Sequence, residues 1–343
     1  MQMRVSVKHM LILLLLAVFA GCQRIPLYER TTAVDLNLAL NLRLEYELDF
    51  ALETELDPEL SLKVNGKEPD YFQALFYDKK TDELVKSQIV GREGGMINVP
   101  SGEYHLVVYN FGTESTQIGS LHHREEAEAY TSDITKSMSD RFKAIQSSAI
   151  KLKSPSRGYD DDPIIHEPDH LYVANEPNVV IPAFTGREET ITIYTNARSI
   201  IDLYSLEVLN IKGTENINKV DAFITGQVKS NYFGKAERSY ESANLYTEMQ
   251  TDRTSGCIYT VFGTFGKQPG EENLVYLDIT DNGGGKYRYI FDVTDQFDDP
   301  NNTGHRLIVD GSIIDIPKPE HGGGGLAPSV DKWEHEDIDV PLG

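Results

Sequence analysis

Two histidines four residues apart, with a glutamate after the first, occur in His166-Glu167-Pro168-Asp169-His170 and match the H-E-x-x-H spelling of a zinc protease. That chemistry needs a helix, on which both imidazoles face one way and the glutamate serves as base. Pro168 removes a backbone donor inside the motif and disfavours helix at Glu167, and Pro163 lies three residues before His166. The segment therefore reads as an exposed turn. Gly283-Gly284-Gly285-Lys286-Tyr287 lacks the Gly-x-x-x-x-Gly-Lys-Ser/Thr spacing of a phosphate loop and reads as a hairpin turn. Asp160–Asp162 and Asp298-Asp299-Pro300-Asn301 carry oxygens of the kind Ca²⁺ takes, but no twelve-residue loop with a closing glutamate is present, and they read as solvated acidic turns. Neither Ser101 nor Ser255 stands in a G-x-S-x-G elbow. Among 54 carboxylates no pair is singled out for glycoside hydrolysis. The expectation is a protein with no catalytic residues, no metal site and no cofactor.

The chain must place whatever it binds with on the order of two domains, since it has 343 residues. Its 40% hydrophobic and 25% charged content is ordinary for a globular protein. A net charge of −22 argues against a nucleic-acid partner, because phosphate affinity comes mainly from Lys and Arg. Eighteen tyrosines against one tryptophan, with 27 glycines, suit strands and turns better than helices.

The N-terminal residues carry a targeting signal. Arg4 and Lys8 precede the apolar run Met10–Phe19, which is too short to span a bilayer as a helix, a task for roughly 20 residues. Ala20-Gly21-Cys22 then resembles a bacterial lipobox, with Phe19 where leucine is usual. That resemblance implies cleavage before Cys22 and a diacylglycerol on its sulfur. Gln23, rather than aspartate, after the cysteine implies by the same analogy an outer-membrane destination. Several acyl chains on one residue hold stably, at about 0.8 kcal/mol per buried CH₂. Cys257 is the other cysteine, so acylation of Cys22 excludes an intramolecular disulfide. In the strand-like run Gly256–Phe262, Cys257 reads as a buried, inert thiol.

Strand patterns fill the mature chain. Val34, Leu36, Leu38, Leu40, Leu42, Leu44, Tyr46, Leu48 and Phe50 alternate with polar residues, a period of two that a helix would scatter. Tyr71–Tyr77 and Leu84–Val90 form a hairpin candidate, followed by Met96–Val99 and Glu103–Asn110. Gln117–Ser147 is polar and reads as short helices or a structured loop, with a helix start near Ser139-Asp140-Arg141-Phe142. Further candidate strands are Glu189–Thr195, Leu203–Leu209, Lys219–Thr225, Cys257–Thr264, Leu274–Thr280, Tyr287–Val293 and Leu307–Ile316. Short strands between turn signals point to sandwiches or barrels, and the proline-rich Ser154–Pro182 stretch marks the domain boundary. The expected organisation is a signal peptide at 1–21, a tether at 22–33, β-sandwich domains at 34–175 and 176–318, and a Gly-rich linker with a terminal strand at 319–343.

These pieces, in order, resemble fimbrillin-like lipoproteins of the Bacteroidetes type, in an uncharacterised domain family of the minor-fimbria anchor kind. The residues that carry the resemblance are Ala20-Gly21-Cys22, Val34-Asp35-Leu36-Asn37-Leu38, Pro100-Ser101-Gly102-Glu103-Tyr104 to Tyr109-Asn110, Pro168-Asp169-His170-Leu171-Tyr172, Ile224-Thr225-Gly226 and Gly323-Gly324-Gly325 to Asp331-Lys332-Trp333. The resemblance implies two transthyretin-like antiparallel β-sandwiches, few helices and a role in surface fimbriae. Physically, an incomplete sandwich leaves unpaired backbone groups that a strand from a neighbouring subunit can fill. The strand-exchange candidates are Val34, Leu36, Leu38, Leu40, Leu42 and Leu44 at one end and Trp333, Ile338, Val340 and Leu342 at the other. The expected partners are fimbrial subunits or other surface proteins, and the outer-membrane lipid through the acylated N terminus. The alternative is a surface lipoprotein that binds glycan or another ligand, which an exposed aromatic platform would favour.

Overall fold

A computed structural model describes residues 33–43, 60, 63–64, 68–134, 136–151, 155–159, 161–183 and 190–319. In chain order the strands are β1 (Ala33–Arg43), β2 (Tyr71–Asp78), β3 (Leu84–Gly91), β4 (Gly94–Pro100), β5 (Gly102–Asn110), β6 (Thr116–Gly119), β7 (Glu128–Thr131), β8 (Ile150–Lys151), β9 (Ile164–His166), β10 (Tyr172–Ile181) and β11 (Ile191–Ser199). Then follow β12 (Asp202–Leu209), β13 (Ile217–Val228), β14 (Ser230–Tyr232), β15 (Glu237–Arg238), β16 (Ser242–Asp252), β17 (Cys257–Thr264), β18 (Leu274–Asp281), β19 (Lys286–Asp292) and β20 (Arg306–Asp310). Two α-helices, α1 (Lys136–Ser148) and α2 (Thr294–Asp298), and two 3₁₀ turns, Arg124–Glu126 and Thr214–Asn216, accompany the strands.

The protein is mainly β, and its sheets form a barrel and a half-barrel that mix parallel with antiparallel pairs, in place of the two antiparallel transthyretin-like sandwiches that the sequence resemblance implies. Strands β1-β11-β10-β5-β2-β3-β4 close into a barrel. Its closure is thin at two corners, where β3 meets β4 at Gly91–Gly94 and β10 meets β11 at Tyr172 and Val173. A second, nine-stranded sheet runs β20-β12-β17-β16-β13-β18-β19-β8, with β9 paired to β16. It folds back at the β16–β17 corner (Gln250–Asp252 against Cys257–Tyr259) and wraps Leu206, Ile224, Leu277, Phe262 and Phe291 into one core. Four strand pairs are parallel: β1–β11, β12–β20, β16–β9 and β19–β8. Each joins strands distant in the chain, since a tight hairpin can make only antiparallel neighbours.

The chain crosses between the two sheets more than once. Strands β6 and β7, from the first half, form a small sheet with β14 and β15 from the second. Helix α1 lies on the outer face of the second sheet, where Phe142 and Ile145 pack on Phe223, Tyr276 and Ile290. Strand β9, inside the proline-rich stretch, pairs with β16. The chain then returns, because β10 and β11 pair within the barrel. The expected cut between residues 175 and 176 therefore falls inside β10. We propose one unit of 34–43, 71–110, 172–183 and 190–199, and a second of 116–134, 136–151, 155–159, 161–166 and 202–316, on which Leu60 and Val64 also pack.

Helix α1 is held by charge as well as by apolar contact. Cross-strand neighbours Glu248, Asp221 and Asp278 form a row on adjacent strands β16, β13 and β18. Like charges directly opposite each other destabilise a sheet, and Asp221 and Asp278 are both fully buried. Arg141 of α1 reaches down between them, donating from Nη2 to Asp221 and from Nε to Asp278 at 2.5 Å. Arg288 donates to the other oxygen of Asp278 at 3.1 Å, and the Tyr246 hydroxyl donates to Asp221 at 2.7 Å. Arg141→Ala leaves two buried carboxylates short of their counter-charge. The expected loss of unfolding free energy is roughly 3–5 kcal/mol, read from urea denaturation, and a loss below about 1 kcal/mol, the scale of an exposed ion pair, would show that the pair is solvated.

Candidate functional site

Strand β1 occupies a slot between β4 and β11. Its period-two pattern sends Val34, Leu36, Leu38 and Leu40 into the barrel, where Leu36 is 0% and Leu38 1% exposed. They meet Ile97 and Val99 of β4, Ala197 of β11, and Phe72, Phe76 and Leu106 across the core. Leu42 is partly buried against the same cluster. On the outer face, Asn98 donates to Asp35 at 3.0 Å and Asn41 donates to Asn196 at 3.1 Å.

The backbone pairing is two-sided. Ala33–Ala39 run antiparallel to Pro100–Gly94, and Leu36–Arg43 run parallel to Ile191–Arg198. Gly94, at φ +99°, brings β4 so close to the Leu38 carbonyl that a Cβ there has no space. Thus Val34, Leu36, Leu38, Leu40 and Leu42 of the expected exchange strand form one continuous element. Leu44, and at the other terminus Trp333, Ile338, Val340 and Leu342, lie outside the described residues, as does Cys22.

A second candidate site is a cleft of about 860 Å³ where the barrel meets the second unit. Its walls include Tyr71, Phe111, His166, His170, Tyr246 and Gly263. Tyr71 is 58% exposed and its ring centroid lies 6.5 Å from that of Phe111. The polar groups deeper in the cleft serve the fold. Lys63 pairs with Glu167 at 3.0 Å, and the Asp169 carboxylate accepts the Ser115 and Thr116 N–H groups. His170 stacks on Tyr172 and its Nε2 contacts the Lys63 carbonyl at 2.5 Å, while burial holds its pKa below the usual histidine value. His166 ends β9 rather than lying on a helix, so the H-E-x-x-H spelling acquires no zinc-protease geometry. Among the described residues no group of three His, Cys, Asp or Glu is arranged to hold a metal ion. Cys257 is a buried free thiol, and desolvation raises its pKa. The aromatic pair was not evident from the sequence, because Tyr71 and Phe111 are 40 positions apart and belong to separate strand ends.

The two units join beside these sites. Leu75, Tyr77, Val107 and Tyr109 of the barrel pack on Val228, Phe233 and Phe265. Arg124 donates to Asp82 at 2.7 Å and to the Gly234 carbonyl at 3.0 Å, tying the β2–β3 turn to the β14–β15 hairpin. The Arg124 guanidinium holds the Asp82 carboxyl below the usual carboxylate range.

A mainly β protein with a resident strand, two interlocked units and an aromatic-lined cleft is the class these features define. Residues 59–248 match the domain of unknown function DUF5119, and the chain belongs to that family. It is 24% identical over 312 residues to Fim4B of Bacteroides ovatus, named as a candidate fimbrium anchoring subunit, covering 81% of this chain and 87% of that one. The crystal structure of a candidate adhesin from Bacteroides ovatus aligns at a TM-score of 0.56 and 22% identity, over 86% of this chain and 95% of that one, and shows the same fold. The fimbrial anchor protein Mfa2 of Porphyromonas gingivalis aligns at a TM-score of 0.46 and 14% identity, over 80% and 90% of the two chains. The resemblance noted in the sequence thus extends over most of the chain.

Two predictions test the slot and the junction. Leu38→Ala removes a fully buried side chain from β1 and is expected to cost about 2–5 kcal/mol in urea denaturation, while a loss below about 1 kcal/mol would mean that β1 is loosely seated. Asp82 has a depressed pKa in the folded state, so its contribution is fully present above the unfolded carboxylate value of about 4. That contribution disappears as pH falls through the folded value. Asp82→Asn should therefore lower stability at pH 7 and flatten the loss on acidification, and parallel acid limbs for the two proteins would refute the assignment.

Proposed function

We propose that the protein is a lipid-anchored accessory or anchoring subunit of a surface fimbria, held in the outer membrane through Cys22 and assembling by strand complementation. The observation that carries this reading is the seat of β1. A strand paired on both sides and buried through Val34, Leu36, Leu38 and Leu40 closes its own barrel. Removing it would expose backbone groups on β4 and β11 together with an apolar slot, the kind of vacancy that a donated strand fills. A subunit that keeps β1 offers no such vacancy at this end and suits the base of a filament rather than its shaft. The naming of Fim4B as a candidate fimbrium anchoring subunit supports the same role.

A second reading is a surface lipoprotein that binds glycan or another small ligand. The exposed Tyr71–Phe111 pair at the mouth of the cleft favours it, since aromatic faces left in water mark binding surfaces.

Gentle shear of native cells followed by fractionation separates the readings. Intact protein is expected in the outer membrane and not on sheared filaments, and its deletion should release filaments into the medium. Detection along filaments in a form lacking Cys22 would instead make it a shaft subunit. Membrane retention with fimbriae unchanged by the deletion would reject the fimbrial role and turn attention to the cleft.

A further inference from the structure

We propose that β1 is a load-bearing clamp, which carries tension between the N terminus and the second unit in shear against β4 and β11. The proposal rests on the reading that the chain is held at its N-terminal side while a filament pulls on the rest.

The parallel pairing of β1 with β11 dictates the geometry. Leu36–Arg43 lie beside Ile191–Arg198 and both strands run in the same direction. Beyond Ser199 the chain passes through Ile200 and Ile201 into β12, the first strand of the second sheet after the return. The second unit therefore leaves the barrel at the C-terminal end of β1. The start of β1 is at the other end, with Ala33 opposite Pro100. A force that draws Ala33 away from the second unit is directed along the strand axis. Ladder hydrogen bonds stand across that axis, so those on both sides of β1 share the load and must fail together.

The side chains add to the clamp. Sliding β1 by one residue would turn Leu36 and Leu38 out of the core and bring polar neighbours in. The path beyond β11 is also firm. The Leu75–Tyr109–Phe233–Phe265 contact and the Arg124–Asp82 ion pair tie the barrel to the second unit. Lys318, close to the β18–β19 turn where Pro319 abuts Gly283, is exposed and remote from β1 in the second unit. A force entering at Arg43 has a different effect. It meets β1 at the end facing the second unit and peels the hydrogen bonds away one after another.

Optical-tweezers measurements on the full chain carrying Cys22→Ser test this. One set of handles is attached at Ala33→Cys and Lys318→Cys, and the other at Arg43→Cys and Lys318→Cys. Asp35→Cys, exposed near the start of the strand, replaces Ala33→Cys if that variant does not fold. At one loading rate the first geometry is expected to rupture at least about twofold higher in force, as forced unfolding follows the barrier along the pulled path. Equal forces, or a higher force from the Arg43 handle, would overturn the clamp. The fractionation experiment stands apart from this test. A strong clamp in a protein that is not retained on the membrane defeats the anchoring role alone, and equal forces in a retained protein defeat the clamp alone.

Discussion

A strand with neighbours on both sides satisfies its N–H and C=O groups only while both neighbours stay in place. Strand β1 is in that position, antiparallel to β4 and parallel to β11. The barrel depends on it, because β3 meets β4 and β10 meets β11 over very short stretches, while β1 supplies the long ladders on its side. Four of its side chains also fill the barrel core. Backbone pairing and apolar burial thus hold the same register, since a slip of one residue would break both at once.

The remainder of the molecule is interlocked rather than modular. The chain leaves the barrel after β5, contributes β6, β7, α1, β8 and β9 to the second unit, returns for β10 and β11, and departs again. Such crossing raises the cost of separating the units. It requires breaking the Phe233 and Phe265 contacts with Leu75 and Tyr109 and the Arg124–Asp82 link together. Electrostatics reinforces the arrangement at a price in desolvation. Asp221 and Asp278 are tolerated side by side in the interior because Arg141, Arg288 and Tyr246 supply hydrogen bonds to them. The acidic excess of the chain is thereby kept compatible with a packed sheet.

Much of the strand content was legible before folding was considered. Cys257–Thr264 appears with the expected bounds, and Tyr71–Tyr77, Leu203–Leu209 and Leu274–Thr280 differ from the observed strands by a residue or so. Their Val, Ile, Tyr and Phe content states the β preference directly. Strand β16 was missed because the polar Thr247 interrupts its apolar face and Tyr246 adds an aromatic to the polar one, although Ala243, Leu245, Thr247 and Met249 are all buried on one side. Strand β10 was hidden by Pro177, which would break a regular ladder. The register shift between Glu176 and Val179 absorbs it. Leu307–Ile316 was read too long, since β20 ends at Asp310 and the chain turns at Gly311.

Residue order alone determined the β class, the two-faced pattern of Val34–Leu42 and the turns around Pro100 and Asp281, because these depend on side-chain period and local backbone preference. Tertiary structure decided the partners of β1, the return of β10 and β11 to the barrel, the seating of α1 on Asp221 and Asp278, and the meeting of Tyr71 with Phe111. Each of these joins residues far apart in the chain. Period and propensity say which face of a strand is buried, but not which other strand buries it. That choice is made by the whole set of faces competing for the same core.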